Sequence, residues 1–309
     1  MSDNNIGQTI TITLIVIIGL ISFLIGIVFF IVFRSNGKIT SAGEERRYIL
    51  HIPESYDPSA PTPLVISLHG FADWPARHAR FSGWNEVADE YGFIVVYPMG
   101  RKFPLRWLAH DVLDENGEPN PDIIFISDLI DHLKQELNID AKRIYMNGFS
   151  NGAGMTHLSA CVLGDEIAAV GGVAGAYLLP WEACRFNRSI PAIFFHGTED
   201  KIVEYDGGFS KRHNFVFPSI MKFVEEWAIK NQCDPVASAL PSTIESNIIR
   251  YTNCEENADV ILYSIEGGGH SWPGGKDLPR WIAGHTTHDM NATRLMWNFY
   301  ERYSLGDSK

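Results

Sequence analysis

Three short stretches of the chain hold the residue types that acyl transfer needs. "GFSNG", residues 148–152, sets Ser150 between two glycines in the spacing G-x-S-x-G. "HGTED", residues 196–200, ends in Asp200, 50 residues on. "GGGHSWPGG", residues 267–275, surrounds His270 with five glycines a further 70 residues along. A serine hydroxyl is a poor nucleophile at neutral pH, so it needs a base to take its proton and a third group to orient that base. Ser150, His270 and Asp200 supply these three roles, with Glu199 as the alternative acid. The oxyanion of a tetrahedral intermediate needs N–H donors. The backbone amides of Asn151 and of Phe71 in "HGF" are the candidates, both acting through the main chain. His69 and His196 each precede a glycine at the end of an apolar run and read as loop-structuring. His285 and His288 have HxxH spacing but no acidic partner set. No metal and no cofactor is expected.

A bare G-x-S-x-G is a weak signal, and its setting decides its value. The motif requires a strand running into a helix, so that a tight turn pushes the serine into the open. Here "RIYMN" is a short apolar run and "AGMTHLSA" reads as helical. The same alternation fills the chain. "RRYILHI" alternates as a half-buried strand does. "PLVISLHG", "GFIVVYPMG", "AAVGGVAG", "PAIFFHGTED" and "DVILYSIEGGGH" are continuous apolar runs, as in strands covered on both faces. Between them "FSGWNEVADEYG", "ISDLIDHLKQEL" and "SIMKFVEEWAIKN" carry helical spacing, and Asn291 reads as the N-cap of a last helix. Alternating strands and helices predict a mostly parallel sheet with helices on both faces, and function gathers at the carboxyl ends of such strands. The order Ser, Asp, His is that of the α/β-hydrolase fold.

Composition bounds the rest. The 309 residues are 45% hydrophobic with a net charge of −12. That balance supports a sizeable core and argues against nucleic acid as a partner, since phosphate contacts need clustered Lys and Arg. Thr9 to Phe33 is 25 residues without a charge. As a helix it is about 37 Å long, enough to cross a hydrocarbon core of roughly 30 Å. The expected organisation is a tail at 1–8, a transmembrane anchor in the bilayer at 9–33, a polar linker at 34–44 and a catalytic domain at 45–309. Orientation is contested. Arg34, Lys38, Arg46 and Arg47 follow the span, which by the positive-inside rule holds that side in the cytoplasm. The four cysteines lie as two close-spaced sets, Cys161 with Cys184 and Cys233 with Cys254. They read either as disulfides in an oxidising compartment or as buried free thiols. The expectation is an extracytoplasmic catalytic domain, since large domains translocate largely regardless of flanking charge.

With these residues in hand, the chain resembles the feruloyl and acetyl-xylan esterases and the related polyhydroxybutyrate-depolymerase-like proteins. The stretches that carry the resemblance are "LHGF", "GFIVVYP", "NGFSNGAGMT", "HGTEDKIVEY", "NQC" with "YTNC", "IEGGGHSWPGG" and "NATRLMWNFY", spanning residues 45–304. It implies the same triad of Ser150, Asp200 and His270, and disulfides joining Cys161 to Cys184 and Cys233 to Cys254. There are departures. Lys201 and Glu204 stand where the family usually has proline, and Trp107–Leu108 where relatives often read Trp-Asn. Trp107 and Trp272 are candidates for stacking on an aromatic acid or a sugar, with burial as the alternative. The expected activity is serine-based hydrolysis of carboxylic esters, feruloyl or acetyl esters of plant polysaccharide or hydroxyalkanoate esters. The alternatives are a serine peptidase and a catalytically silent surface binding protein.

Overall fold

A computed structural model describes residues 13, 17–23, 26–27, 30–210 and 215–306. Ten strands form one sheet, in the order β1-β2-β4-β3-β5-β6-β7-β12-β11-β10. In chain order these are β1 (Gly37–Ser41), β2 (Glu44–His51), β3 (Thr62–Leu68), β4 (Ile94–Pro98), β5 (Ile139–Phe149), β6 (Ala169–Val173) and β7 (Ala192–Gly197). After a small hairpin, β8 (Gly208–Ser210) and β9 (Phe215–Phe217), come β10 (Ser238–Thr243), β11 (Ser246–Tyr251) and β12 (Val260–Ile265). The six central strands, β4 to β12, run parallel, and antiparallel pairs close both edges.

All seven residues of β3 are buried. Leu64, Ile66 and Leu68 point into one core and Val65 into the other, as the two-residue period of a strand requires. The first core is covered by α3 (Pro121–Glu136), α4 (Asn151–Leu163) and α5 (Ile220–Lys230). The second is covered by α1 (Pro75–Ser82), α2 (Trp84–Tyr91) and α7 (Ala292–Tyr300), while the short α6 (Arg280–Ala283) lies in the loop after β12. Side-chain caps start the longer helices. Asn120 accepts from the N–H groups of Asp122 and Ile123, Ser219 from Lys222, and Asn291 from Arg294 as its position predicts.

The elements differ from the sequence reading at three places. "FSGWNEVADEYG" is not one helix, because Gly83 adopts φ 72°, caps α1 and starts α2. β12 follows β7 in the sheet but not in the chain, since β8 to β11 intervene. The segment 34–44 is not a free linker. Gly37–Ser41 pairs antiparallel with β2, so the folded domain begins at Gly37 and not at 45. The span expected at 9–33 lies for the most part outside the described residues, and among those no helix is long and apolar enough to cross a membrane. Both disulfides are formed, Cys161 to Cys184 and Cys233 to Cys254.

Candidate active site

Ser150 sits between the last residue of β5 and the first of α4, at φ 55° and ψ −117°. An L-residue reaches that backbone only under strain of about 1–3 kcal/mol. The strain is imposed by close approach on both sides. A Cβ on Gly148 would lie 2.3 Å from the Gly152 backbone, and one on Gly152 would lie 2.4 Å from the Leu68 carbonyl oxygen. Only glycine at both positions lets strand and helix meet at so sharp an angle.

The Asp200 carboxylate lies in the loop leaving β7, and its Oδ1 accepts from the backbone N–H groups of Ile202 and Val203 at 2.8 and 2.9 Å. Its Oδ2 accepts from His270 Nδ1 at 2.7 Å. Burial disfavours the charged carboxylate. The charge of His270, with hydrogen bonds from His196 and His270, outweighs that and holds Asp200 well below the usual carboxylate range. His196 lies 3.4 Å from the same oxygen and also bonds the Val203 carbonyl at 2.9 Å. Its loop-structuring role is therefore directed at the acid, a function the sequence reading missed although His196 and Asp200 are four residues apart. Glu199 has no such contact to His270.

His270 leaves β12 in a loop that folds back against α6. A Cβ on Gly269 would stand 2.0 Å from the Ala283 carbonyl oxygen, and the Gly269 N–H donates to the His285 carbonyl. This close packing accounts for the glycines around the histidine. The imidazole packs against Phe149, the residue before Ser150, with ring centroids 4.9 Å apart. With Nδ1 committed to Asp200, Nε2 is the nitrogen available to Ser150. Neither Nε2 nor Ser150 Oγ has a hydrogen-bond partner among the described residues, and such contacts tighten on substrate binding. Ser150, Asp200 and His270 are all buried.

The N–H groups of Phe71 and Asn151 are likewise unbonded among the described residues. The structure corrects the stacking role expected of two tryptophans. Trp107 is buried with its indole N–H donating to the His69 carbonyl, and Trp272 is wholly buried and bonded to Thr293. Neither indole offers a face to a substrate. His285 and His288 pair separately with Glu245 and Asp277. The described His, Cys, Asp and Glu side chains that cluster closely are His157, Cys161 and Cys184, and the two sulfurs are joined to each other.

The likeness to known proteins follows the same lines. Residues 47–180 match the model of the family described as Esterase PHB depolymerase. That segment is a domain of this family. It carries β2 to β6 and the Ser150 elbow, while Asp200 and His270 lie beyond it. The chain is 29% identical over 240 residues to the bifunctional acetylxylan esterase/xylanase of Neocallimastix patriciarum, covering 76% of this chain and 32% of that protein. It is 28% identical over 268 residues to feruloyl esterase B of Piromyces equi, covering 84% and 46%. The chain thus spans about a third to a half of the length of these two relatives. The acetyl xylan esterase from Aspergillus awamori shares the fold, with a TM-score of 0.59 at 16% identity over 76% of this chain and 93% of that one.

Proposed function

We propose that this Esterase PHB depolymerase domain protein is a serine carboxylic-ester hydrolase, acting on acetyl or feruloyl esters of plant polysaccharide. The observation that carries the reading is the short Asp200–His270 hydrogen bond beside the strained Ser150 elbow, at the carboxyl ends of neighbouring strands. In this mechanism His270 Nε2 takes the Ser150 proton as Oγ attacks the ester carbonyl. The Phe71 and Asn151 amides receive the developing oxyanion. Collapse expels the alcohol, which takes the proton from His270, and leaves an acyl group on Ser150. Water, deprotonated by the same imidazole, then releases the acid. Asp200 orients the ring throughout and stabilises the imidazolium. The names and extent of the relatives favour polysaccharide esters over hydroxyalkanoate esters as substrate.

A fluorophosphonate probe and an ester panel test this. Wild type is expected to label and to hydrolyse acetyl- or feruloyl-substituted xylo-oligosaccharides, and Ser150→Ala to do neither. Labelling that persists in Ser150→Ala would reject the nucleophile. Hydrolysis of hydroxybutyrate oligomers alone would move the substrate class.

We further propose that residues 9–33 anchor the protein in a bilayer with the catalytic domain outside the cytoplasm. Two disulfides favour an oxidising compartment. The flanking cations carry less opposing weight than their number suggests. Arg46 is buried against Asp122 at 2.8 Å, and Lys38 and Arg47 both pair with Glu45. Protease added to intact cells should reach the domain, whereas full protection would reverse the orientation.

A further inference from the structure

The two amides proposed to bind the oxyanion belong to segments 80 residues apart in the chain, so something must fix their separation. One residue touches both segments. The Trp107 backbone is held on either side by the Asn151 side chain: Asn151 Oδ1 accepts from the Trp107 N–H at 2.8 Å, and Asn151 Nδ2 donates to the Trp107 carbonyl at 3.2 Å. The Trp107 indole Nε1 donates to the His69 carbonyl at 2.9 Å, two residues before Phe71.

His69 continues the chain of contacts. Its Nδ1 donates to the Gly70 carbonyl at 2.7 Å, and its Nε2 accepts from the Gly100 N–H at 3.0 Å. A backbone N–H can only donate, so Nε2 carries no proton and the ring is a neutral Nδ1–H tautomer. Burial lowers the pKa of His69 against the pull of the Gly70 carbonyl, which keeps the ring in that form. The His69 and Trp107 rings pack 5.2 Å apart, and the Ala72 N–H donates to the Leu105 carbonyl at 2.8 Å. The loop after β4 therefore bridges the elbow on one side and the loop after β3 on the other.

We propose that Trp107 is a positioning residue for the oxyanion hole, a strut that sets the distance between the Asn151 and Phe71 amides. The proposal rests on the esterase reading above. It gives the side chain of Asn151 a task separate from that of its own N–H, since the carboxamide grips the strut while the amide faces the reaction. Trp107 touches no reacting atom and acts through the two donors it spaces. Removing one oxyanion donor outright costs about 10²–10³-fold in kcat. A displaced donor costs less, so losing the strut is expected to lower kcat about 10-fold.

The test uses the full-length chain in detergent, with p-nitrophenyl acetate as substrate and fluorophosphonate titration to count competent enzyme. Trp107→Phe keeps a ring against His69 and loses only the indole N–H. It should lower kcat per competent site about 10-fold with KM within about twofold. Affinity for a phenylboronate, whose tetrahedral adduct places an oxygen in the hole, should weaken in parallel. Asn151→Leu keeps its own amide and should behave alike, and the double variant should fall little further than the lower single, because both act on one strut. A kcat for Trp107→Phe within twofold of wild type overturns the proposal. So does a fall in kcat with unchanged boronate affinity, or single effects that multiply in the double variant. If Trp107→Phe does not fold, Asn151→Leu decides by the same two readouts. A wild type that neither labels nor turns over the ester overturns the esterase reading itself, a result recognisable because it precedes any substitution.

Discussion

At the scale of single residues, Asp200 holds the most information. If it fixes the His270 tautomer, Asp200→Asn should lower kcat about 10⁴-fold, while Glu199→Gln, with no contact to His270, should change it less than about threefold. Stability should respond as well. A folded-state pKa below the unfolded value of about 3.9 means that ionised Asp200 adds stability at and above that pH. The contribution is lost as pH falls through the lowered folded value. Thermal melts between pH 7 and pH 2 should therefore show wild type losing stability faster on the acid side than Asp200→Asn; parallel curves would contradict the lowered pKa. Ser150 makes the opposite trade. Ser150→Gly relieves about 1–3 kcal/mol of backbone strain and adds about 0.5–1 kcal/mol of unfolded-state freedom, so relief wins. The inactive variant should melt a few degrees above wild type.

At the scale of elements, the loop after β4 is held by a pair the sequence gives no sign of. Asp122, at the start of α3, accepts from Arg46 of β2 and from the Leu108 N–H at 2.9 Å. Arg46→Ala would leave Asp122 buried without its cation, at a cost of about 3–5 kcal/mol. It should lower the melting temperature more than Arg47→Ala, whose partner Glu45 is exposed. Equal shifts would contradict the buried pair. This example marks how far the sequence is legible. The parallel strands were readable because each is a continuous apolar run, and the triad because its residues sit where such runs end. Ser150, Asp200 and His270 fell where motif and chain order put them. Contacts made by single polar side chains across 40 to 80 residues leave no periodicity, so the Arg46–Asp122 pair and the Asn151–Trp107 grip were invisible. The same limit explains the tryptophans. Residue type alone cannot say whether an indole faces a cleft or a carbonyl beneath it. The edge strands β1, β10 and β11 were missed because their half-exposed pattern is interrupted by polar residues.

At the scale of the whole molecule, the two disulfides tie helices to their following segments on one side of the sheet. They close segments of 23 and 21 residues, and each contributes on the order of 3 kcal/mol by loop entropy. Reductant should lower the melting temperature of the full-length chain by several degrees. Four thiols titrating in protein isolated under alkylating conditions would argue against an oxidising compartment.

The stitching of the first strand into the sheet also sets a leash. Asn36 already bonds Leu50 in both directions, its Nδ2 donating to the carbonyl at 2.8 Å and its Oδ1 accepting from the N–H at 2.7 Å. Between Phe33, the end of the proposed anchor, and this first fixed residue lie only Arg34 and Ser35. Three peptide steps reach roughly 10 Å. A domain so tethered cannot roam; it works at arm's length from the bilayer, on whatever is laid against that surface. Twenty Gly/Ser residues inserted after Ser35 would extend the reach by roughly 25 Å. Turnover of small soluble esters should then be unchanged, while attack on insoluble polysaccharide held away from the membrane should accelerate.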